Sequence, residues 1–558
     1  MRAAGSRYAG QVNSGLISKL RSDLLAARYS LASLATLWGR AAEDARRRGV
    51  FQPALRVLAQ RDPAPNATLG RVFLLGATAT AAELDAALPA LGAAGAAELG
   101  LVVPAGSAAS AGSVAPAASA ASAVSAAEFR AALSLNPVDF SGLAEIGLAE
   151  AGPLEWWILS DLDDELRRAP ARPDHVMGVG GATRTLLAQV PPSAVARALD
   201  LGTGCGVIAM YLAHLGTGHT VATDISERAL MLARANAQLN GFDGRIEFRL
   251  GSLFEPVADE RFDLIVSNPP FVITPRGDDA AERYEYRDGG MTGDELAATV
   301  VRDAPRHLAA GGALVCLANW ETEWGGHGLE RVRGWIREAA ANAGTPLDGW
   351  VIERDRVDTA QYAETWARDG GARPGQPEFE ALLTAWLDDF GARRVVSVGL
   401  GAIHLRRPAA APATTATPAE SSVIHAEQAT GALASHGLGA ALRAAFDAGA
   451  AAARASDADV LATRWVRAEG VAEERVYTPG EESPSAITLV TDLPIARRVA
   501  ADTLLAAAVG VCDGELTLGQ IADALATLLE VDAAAAGEAL VAGVRELAWL
   551  GMLTPATA

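Results

Sequence analysis

Cysteine is scarce in this 558-residue chain: Cys205, Cys316 and Cys512 stand far apart and form no CxxC or Cys/His ligand spacing. That argues against a disulfide framework and against a metal site, and it predicts reduced, buried thiols. Lysine is scarcer still. Lys19 is the only one, in a chain crowded with alanine, which is a bias of composition rather than a functional signal. No apolar run approaches the roughly 18 residues needed to cross a bilayer, and the opening residues, MRAAGSRYAGQVNSGL, lack the apolar stretch of a secretory signal. A cytoplasmic protein with no membrane partner is the expectation. Positive charge is also short, with a formal net charge of -20, which disfavours a protein that coats nucleic acid. The deficit is uneven, however: residues 1–61 carry eleven basic side chains against three acids, about +8.

Half of the residues are hydrophobic and 20% are charged, the balance of a globular chain too long for one core, so about two to four domains are expected. Two Ala/Ser/Pro/Thr tracts, 104–128 and 407–422, have little to bury and read as linkers. They divide the chain into a helical N-terminal domain (1–103), a subdomain at 129–190 beside a core at 191–406, and a C-terminal domain (423–558). In the core, short apolar runs alternate with helical segments. ARALDL (196–201), HTVATD (219–224), RIEFRL (245–250), FDLIVS (262–267), GALVCLA (312–318), WVIER (350–354) and RVVSVGLGAIHL (394–405) are the candidate strands. This is the pattern of an α/β, Rossmann-like sheet of seven strands covered on both faces. Residues 512–553 read as three short helices with an apolar tail, similar in layout to a winged helix. Their acidic character favours protein contact over DNA reading.

The chemistry concentrates at strand ends. LDLGTGCG (199–206) follows the first core strand and places Gly202, Gly204 and Gly206 at every second position, where a backbone must turn sharply and approach a ligand. The next strand ends in Asp224, about 20 residues on, where a carboxylate can accept both hydroxyls of a ribose. NAD and S-adenosyl-L-methionine are the alternatives at this point. Dehydrogenases of this fold use G-x-G-x-x-G, whereas this chain has G-x-G-x-G preceded by Asp200. After the fourth strand comes SNPPFV (267–272), a loop whose two prolines offer no N–H.

In that order, LDLGTGCG, VATDISERAL and SNPPFV resemble the motifs of class I S-adenosylmethionine-dependent N-methyltransferases, over roughly residues 175–405. The resemblance implies S-adenosyl-L-methionine as cofactor, held by Asp200, Gly202, Thr203, Gly204, Cys205, Gly206, Asp224, Ile225 and Asn268. Family members often carry an acid after the third strand for the adenine amino group; here the position is Ser252, with the Leu253 N–H left to meet the ring. Asn268, Pro269, Pro270 and Phe271 are implied as the catalytic loop: the Asn268 side-chain oxygen and the Pro269 carbonyl accept both N–H bonds of a planar amide or amine. Its lone pair, otherwise delocalised, is thereby aimed at the reactive methyl, and Phe271 lies against the flat group. No metal is called for, because the cofactor carries the methyl.

Gly289, Gly290 and Gly293 in YEYRDGGMTGDEL are similar to a segment of the HemK/PrmC-type glutamine methyltransferases of release factors; a plain glycine-rich connection before a helix is the alternative reading. The segment 173–190 is implied to close over the site with Thr183, Arg184 and Thr185, or else to cap a helix through Thr183 or one of its neighbours. A protein glutamine, release-factor type, is the first acceptor reading. An exocyclic base amine of rRNA or another nucleic acid is the second, favoured by the basic N-terminal block. A non-catalytic scaffold is the third, opposed by the intact Asn268–Phe271 loop.

Overall fold

The computed structural model describes residues 13–106, 128–143, 154–167, 172–276, 290–409 and 416–556. Its centre is one sheet of eight strands: β1 (Arg197–Leu201), β2 (His219–Asp224), β3 (Ile246–Leu250), β4 (Phe262–Ser267), β5 (Leu308–Glu323), β6 (Asp348–Asp358), β7 (Val395–Arg406) and β8 (Val423–Gln428). The spatial order is β3-β2-β1-β4-β5-β7-β6-β8. Strands β1 to β5 run parallel, while β7 is antiparallel to both β5 and β6. The Rossmann-like core is therefore as expected, with one correction. β8, assigned from sequence to the C-terminal domain, pairs in parallel with β6 from Asp348↔Val423 to Glu353↔Gln428, so the sheet has eight strands rather than seven.

Chain order and space diverge at the gap between β1 and β4, where β1 sends its crossover to one side and β4 sends its own to the other. In open α/β sheets such a switch point opens a crevice at the carboxyl ends of the strands. Register makes the ends coincide here: Leu201 is opposite both Thr223 of β2 and Ser267 of β4, and Asp224 is opposite Leu250 of β3. The four loops that follow thus leave the sheet along one edge. Most residues of β1, β2 and β4 are buried on both faces of the sheet, which is why these strands do not show the apolar–polar alternation of a half-exposed sheet.

The N-terminal block is helical as expected, with seven helices between Ser14 and Glu98. It also carries a small sheet in which Glu128–Ala131 pairs with Val102–Pro104 and Ala79–Thr80. The block therefore reaches past residue 103 and is closed by residues at the far end of the first Ala/Ser tract; most of that tract, and residues 410–415 of the second, lie outside the described residues. Beyond it, Ser134–Asp139 and Glu155–Ser160 form an antiparallel pair. The outer edge of Glu155–Ser160 is satisfied by two amides one turn apart on the helix Glu227–Leu239. Asn236 exchanges hydrogen bonds with Leu159 (2.7 and 2.9 Å), and Asn240 does the same with Trp157 (2.9 and 2.8 Å). Side-chain amides thus stand in for the missing strand.

One buried apolar cluster runs from Ile17 and Leu20 through Trp156 into Ala198, Met210 and Val266, so the N-terminal block and the sheet share a core. The C-terminal block docks on the opposite end of the sheet. There Trp350 of β6 meets Trp549 (5.8 Å between centroids), which stacks on His425 of β8 at 5.1 Å. The three helices expected in 512–553 are two, Leu518–Leu529 and Ala533–Trp549, set between strands Asp513–Thr517 and Leu553–Pro555. A capping box of Thr517 and Gln520 ends the strand and starts the helix. All three cysteines are buried and unbridged. Among the described residues no helix is long and apolar enough to cross a membrane.

Candidate active site

The loop after β1 is strapped to β2: the Gly202 and Thr203 N–H groups donate to the Thr223 carbonyl at 3.0 and 2.9 Å. Gly206, at φ +84°, shows why glycine is required. A Cβ there would lie 2.8 Å from the Ala233 Cβ, closing the approach between the helices Val207–His214 and Glu227–Leu239. At Gly204, also left-handed at φ +53°, a Cβ meets nothing within 4 Å and would project into open space. Beneath the loop, the fully buried Asp200 accepts from Thr203 Oγ1 at 2.6 Å and from the Ala209 N–H at 2.9 Å.

Asp224, at the end of β2, accepts the Gly204 N–H on one oxygen and the Ser226 N–H on the other, both at 2.9 Å. Burial raises its pKa above the ordinary carboxylate value, and those backbone bonds oppose the rise. After β3, the Gly251 N–H donates to the Asp224 carbonyl at 3.0 Å, and Leu253 follows in a left-handed conformation (φ +47°). After β4, Ser267 Oγ donates to the Leu201 carbonyl at 2.9 Å and fixes the two strand ends together.

Asn268 stands next. Its amide nitrogen lies 3.4 Å from Thr183 Oγ1, a long donor contact, and its Oδ1 is buried with no hydrogen-bond partner. A buried carbonyl oxygen left unsatisfied costs about 1–3 kcal/mol, so it marks either strain or a place for an incoming donor. Phe271 meets Trp366 edge to face, with centroids 6.5 Å apart.

These groups surround one cavity of about 590 Å³. Of the residues singled out in the sequence, Gly202, Thr203, Gly204, Cys205, Asp224, Ile225, Ser252, Leu253, Asn268, Pro269, Pro270 and Phe271 all border it. Asp200 and Gly206 are not among the lining residues: the first braces the loop from below and the second packs against Ala233. Thr183 borders the cavity, whereas Arg184 donates to the Asp139 carbonyl at 2.9 Å and lies over the Phe140 ring. Thr185 is likewise not among the lining residues; its carbonyl accepts from Gln189. The helix Gly181–Gln189 has Gly180 at its N-cap and no side-chain cap bond, so Thr183 does not cap it. Gly290 borders the cavity, Gly293 packs against the Glu321–Arg393 ion pair, and Gly289 lies outside the described residues.

Other lining groups were not singled out by residue. Within the segment 173–190 expected to close over the site, Asp174 to Gly178 form one wall, held where Asp161 accepts the Val176 N–H at 2.8 Å and pairs with Arg228. Burial there keeps the His175 imidazole below its usual pKa. Met291, Trp366 and Asp369 form the wall beyond Phe271, and the last two sit on a helix whose sequence carries no motif.

Comparison with known proteins finds families for two stretches of the chain. Residues 177–344 match the family described as methyltransferase small domain, and residues 26–112 match a domain of unknown function, DUF7059. The ribosomal protein uL3 glutamine methyltransferase of Bradyrhizobium diazoefficiens is 40% identical over 132 residues, 22% of this chain and 41% of its own. The release factor glutamine methyltransferase of Gloeobacter violaceus is 39% identical over 128 residues, 21% of this chain and 44% of its own. The ribosomal RNA small subunit methyltransferase C of Cronobacter sakazakii is 32% identical over 165 residues, 29% of this chain and 43% of its own. The chain thus spans less than half the length of these curated relatives.

Proposed function

We propose that residues 177–344, a methyltransferase small domain, work with the strands and helices around them as an S-adenosyl-L-methionine-dependent N-methyltransferase acting on a planar amide or amine nitrogen. The observation that carries this reading is the unpartnered, buried Asn268 Oδ1 at the wall of the cavity. An acceptor held without a donor fits a substrate that brings its own N–H.

The residues present fit the cofactor. Open space stands over Gly202 and Gly204, the Asp224 carboxylate borders the same space to take a ribose diol, and the Ser252–Leu253 backbone borders it for the adenine. Bound there, S-adenosyl-L-methionine supplies an electrophilic methyl group. The chain's part is orientation. Asn268 Oδ1 and the Pro269 carbonyl accept the two N–H bonds of the acceptor, which turns its lone pair out of the hydrogen bonds and toward the methyl. Pro269 and Pro270 add no competing donor, and Phe271 covers the flat face of the group.

The acceptor we favour is a glutamine side chain of a translation protein, the substrate type named for two of the relatives. A base amine of rRNA is the second reading, favoured by the exposed Arg28, Arg40, Arg47, Arg48, Arg56 and Arg61 of the N-terminal block and by the rRNA methyltransferase relative. Three buried, unbridged thiols fit a reducing cytoplasm, where both substrates reside. Radiolabelled S-adenosyl-L-methionine, incubated with the chain and a cell extract that is then split into protein and RNA, separates the two. Label in a single protein band supports the glutamine reading, label in RNA the base-amine reading, and label in neither refutes both.

A further inference from the structure

Between β6 and β7 the chain inserts two packed helices, Thr359–Asp369 and Pro377–Ala392, which lie beyond the residues that match the methyltransferase small domain. This hairpin has an apolar core of its own. The buried members of that cluster run from Val357 to Val398 with a single outsider, Ile273, which stands just past the Asn268–Phe271 loop and is 1% exposed.

Ile273 is held from both sides. Its N–H donates to Tyr362 Oη at 2.9 Å, and its carbonyl accepts from Trp386 Nε1 at 2.7 Å. The same Tyr362 oxygen accepts from Asn319 Nδ2 of β5 at 2.9 Å, which ties the clamp to the central sheet. One turn along the first helix, Trp366 meets the edge of the Phe271 ring, 6.5 Å between centroids and 65° between planes. Each helix thus fixes the backbone on one side of Ile273, and Trp366 fixes the ring two residues before it. A loop of four residues, two of them prolines, has few internal hydrogen bonds to hold its shape, so its working geometry is set by what it packs against.

We propose that this hairpin is the acceptor-positioning element of the site, with Tyr362 and Trp386 as positioning residues that clamp Ile273 and so hold Asn268 and Phe271 in line. The proposal rests on the functional reading above for what the loop does, but not for how it is held. None of the three clamp contacts involves the loops at Asp224 or Gly204, so the clamp bears chiefly on the acceptor, and of the residues implied to hold the cofactor it reaches only Asn268.

The test uses the full chain and Tyr362→Phe, which keeps the ring in the hairpin core and removes only the oxygen, with Trp386→Phe as the second variant. Hydrogen exchange reads the clamp without turnover. The amides of 271–274 are expected to exchange about tenfold faster in Tyr362→Phe, while those of 199–206 do not change. Methyl transfer into the extract fraction that accepts label should fall about tenfold at saturating S-adenosyl-L-methionine, with the KM for that cofactor within about twofold of wild type. Unchanged exchange at 271–274 in both variants overturns the clamp. Faster exchange with undiminished transfer overturns its role in positioning, and a cofactor KM that rises in step with the loss of rate shows a general structural defect instead. A wild-type chain that labels nothing refutes the functional reading, while the exchange arm still decides the clamp.

Discussion

Asp200 offers a quantitative test of how the site is built. Its carboxylate is fully buried; one oxygen receives Thr203 and Ala209, and the other has no partner. Burial pushes its pKa from 3.8 up to about 7, against the two hydrogen bonds and with a small further push from Asp224. Because the folded value is the higher one, the folded chain favours the protonated acid. That stabilisation is complete below pH 3.8 and is lost as pH rises toward 7. At ~1.4 kcal/mol per pH unit, the buried charge costs at most ~4 kcal/mol at pH 8. Asp200→Asn keeps an oxygen for Thr203 and Ala209, and puts an uncharged amide where the unpartnered oxygen stood. The stability of the variant relative to the parent should therefore rise by about 3 kcal/mol from pH 4.5 to pH 8, on top of a pH-independent cost of about 1–3 kcal/mol for burying the new amide N–H groups without an acceptor. Paired thermal melts across this range isolate the residue, since every other titrating group is common to both chains. A gap that does not change with pH, or one that moves in the parent's favour as pH rises, would refute the argument.

Two further substitutions probe the cofactor end. Gly206→Ala places a Cβ 2.8 Å from that of Ala233 on a left-handed backbone; it should lower stability by ~1–3 kcal/mol, and an unchanged melting temperature would contradict the close approach. Asp224→Ala strips the acceptor from the Gly204 and Ser226 N–H groups and removes the diol contact. Calorimetric affinity for S-adenosyl-L-methionine should fall at least about tenfold, and an unaltered Kd would undo the ribose assignment.

What the sequence made legible was local. Gly202, Gly204 and Gly206, Asp224 and Asn268 announce themselves because turn geometry and strand ends are written in short windows, and register then gathers them along one edge of the sheet. Long-range pairing was not legible. VIHAEQ of β8 follows a low-complexity tract and finds its partner some way back at Asp348–Glu353, and no local signal foretells that. Glu128–Ala131 likewise closes a sheet from the far end of an Ala/Ser run. Tyr362 reaches Ile273 across 89 residues of chain, so its role is invisible until the hairpin is folded. Side-chain direction was the other blind spot. Arg184 and Thr183 are neighbours on one helix, yet only Thr183 faces the cavity, because Arg184 is drawn to the Asp139 carbonyl and the Phe140 ring. Asp200 is turned the same way from its expected contact, down toward Ala209 rather than out toward the cavity.

Asn268 presents a buried, unpartnered acceptor to a substrate N–H. The direct measurement is Asn268→Ala, assayed side by side for S-adenosyl-L-methionine affinity by calorimetry and for transfer of radiolabel into the fraction that accepts it from wild type. The expected result is a Kd within about twofold of wild type and a loss of transfer on the order of 10²-fold. Full transfer by the variant would contradict it.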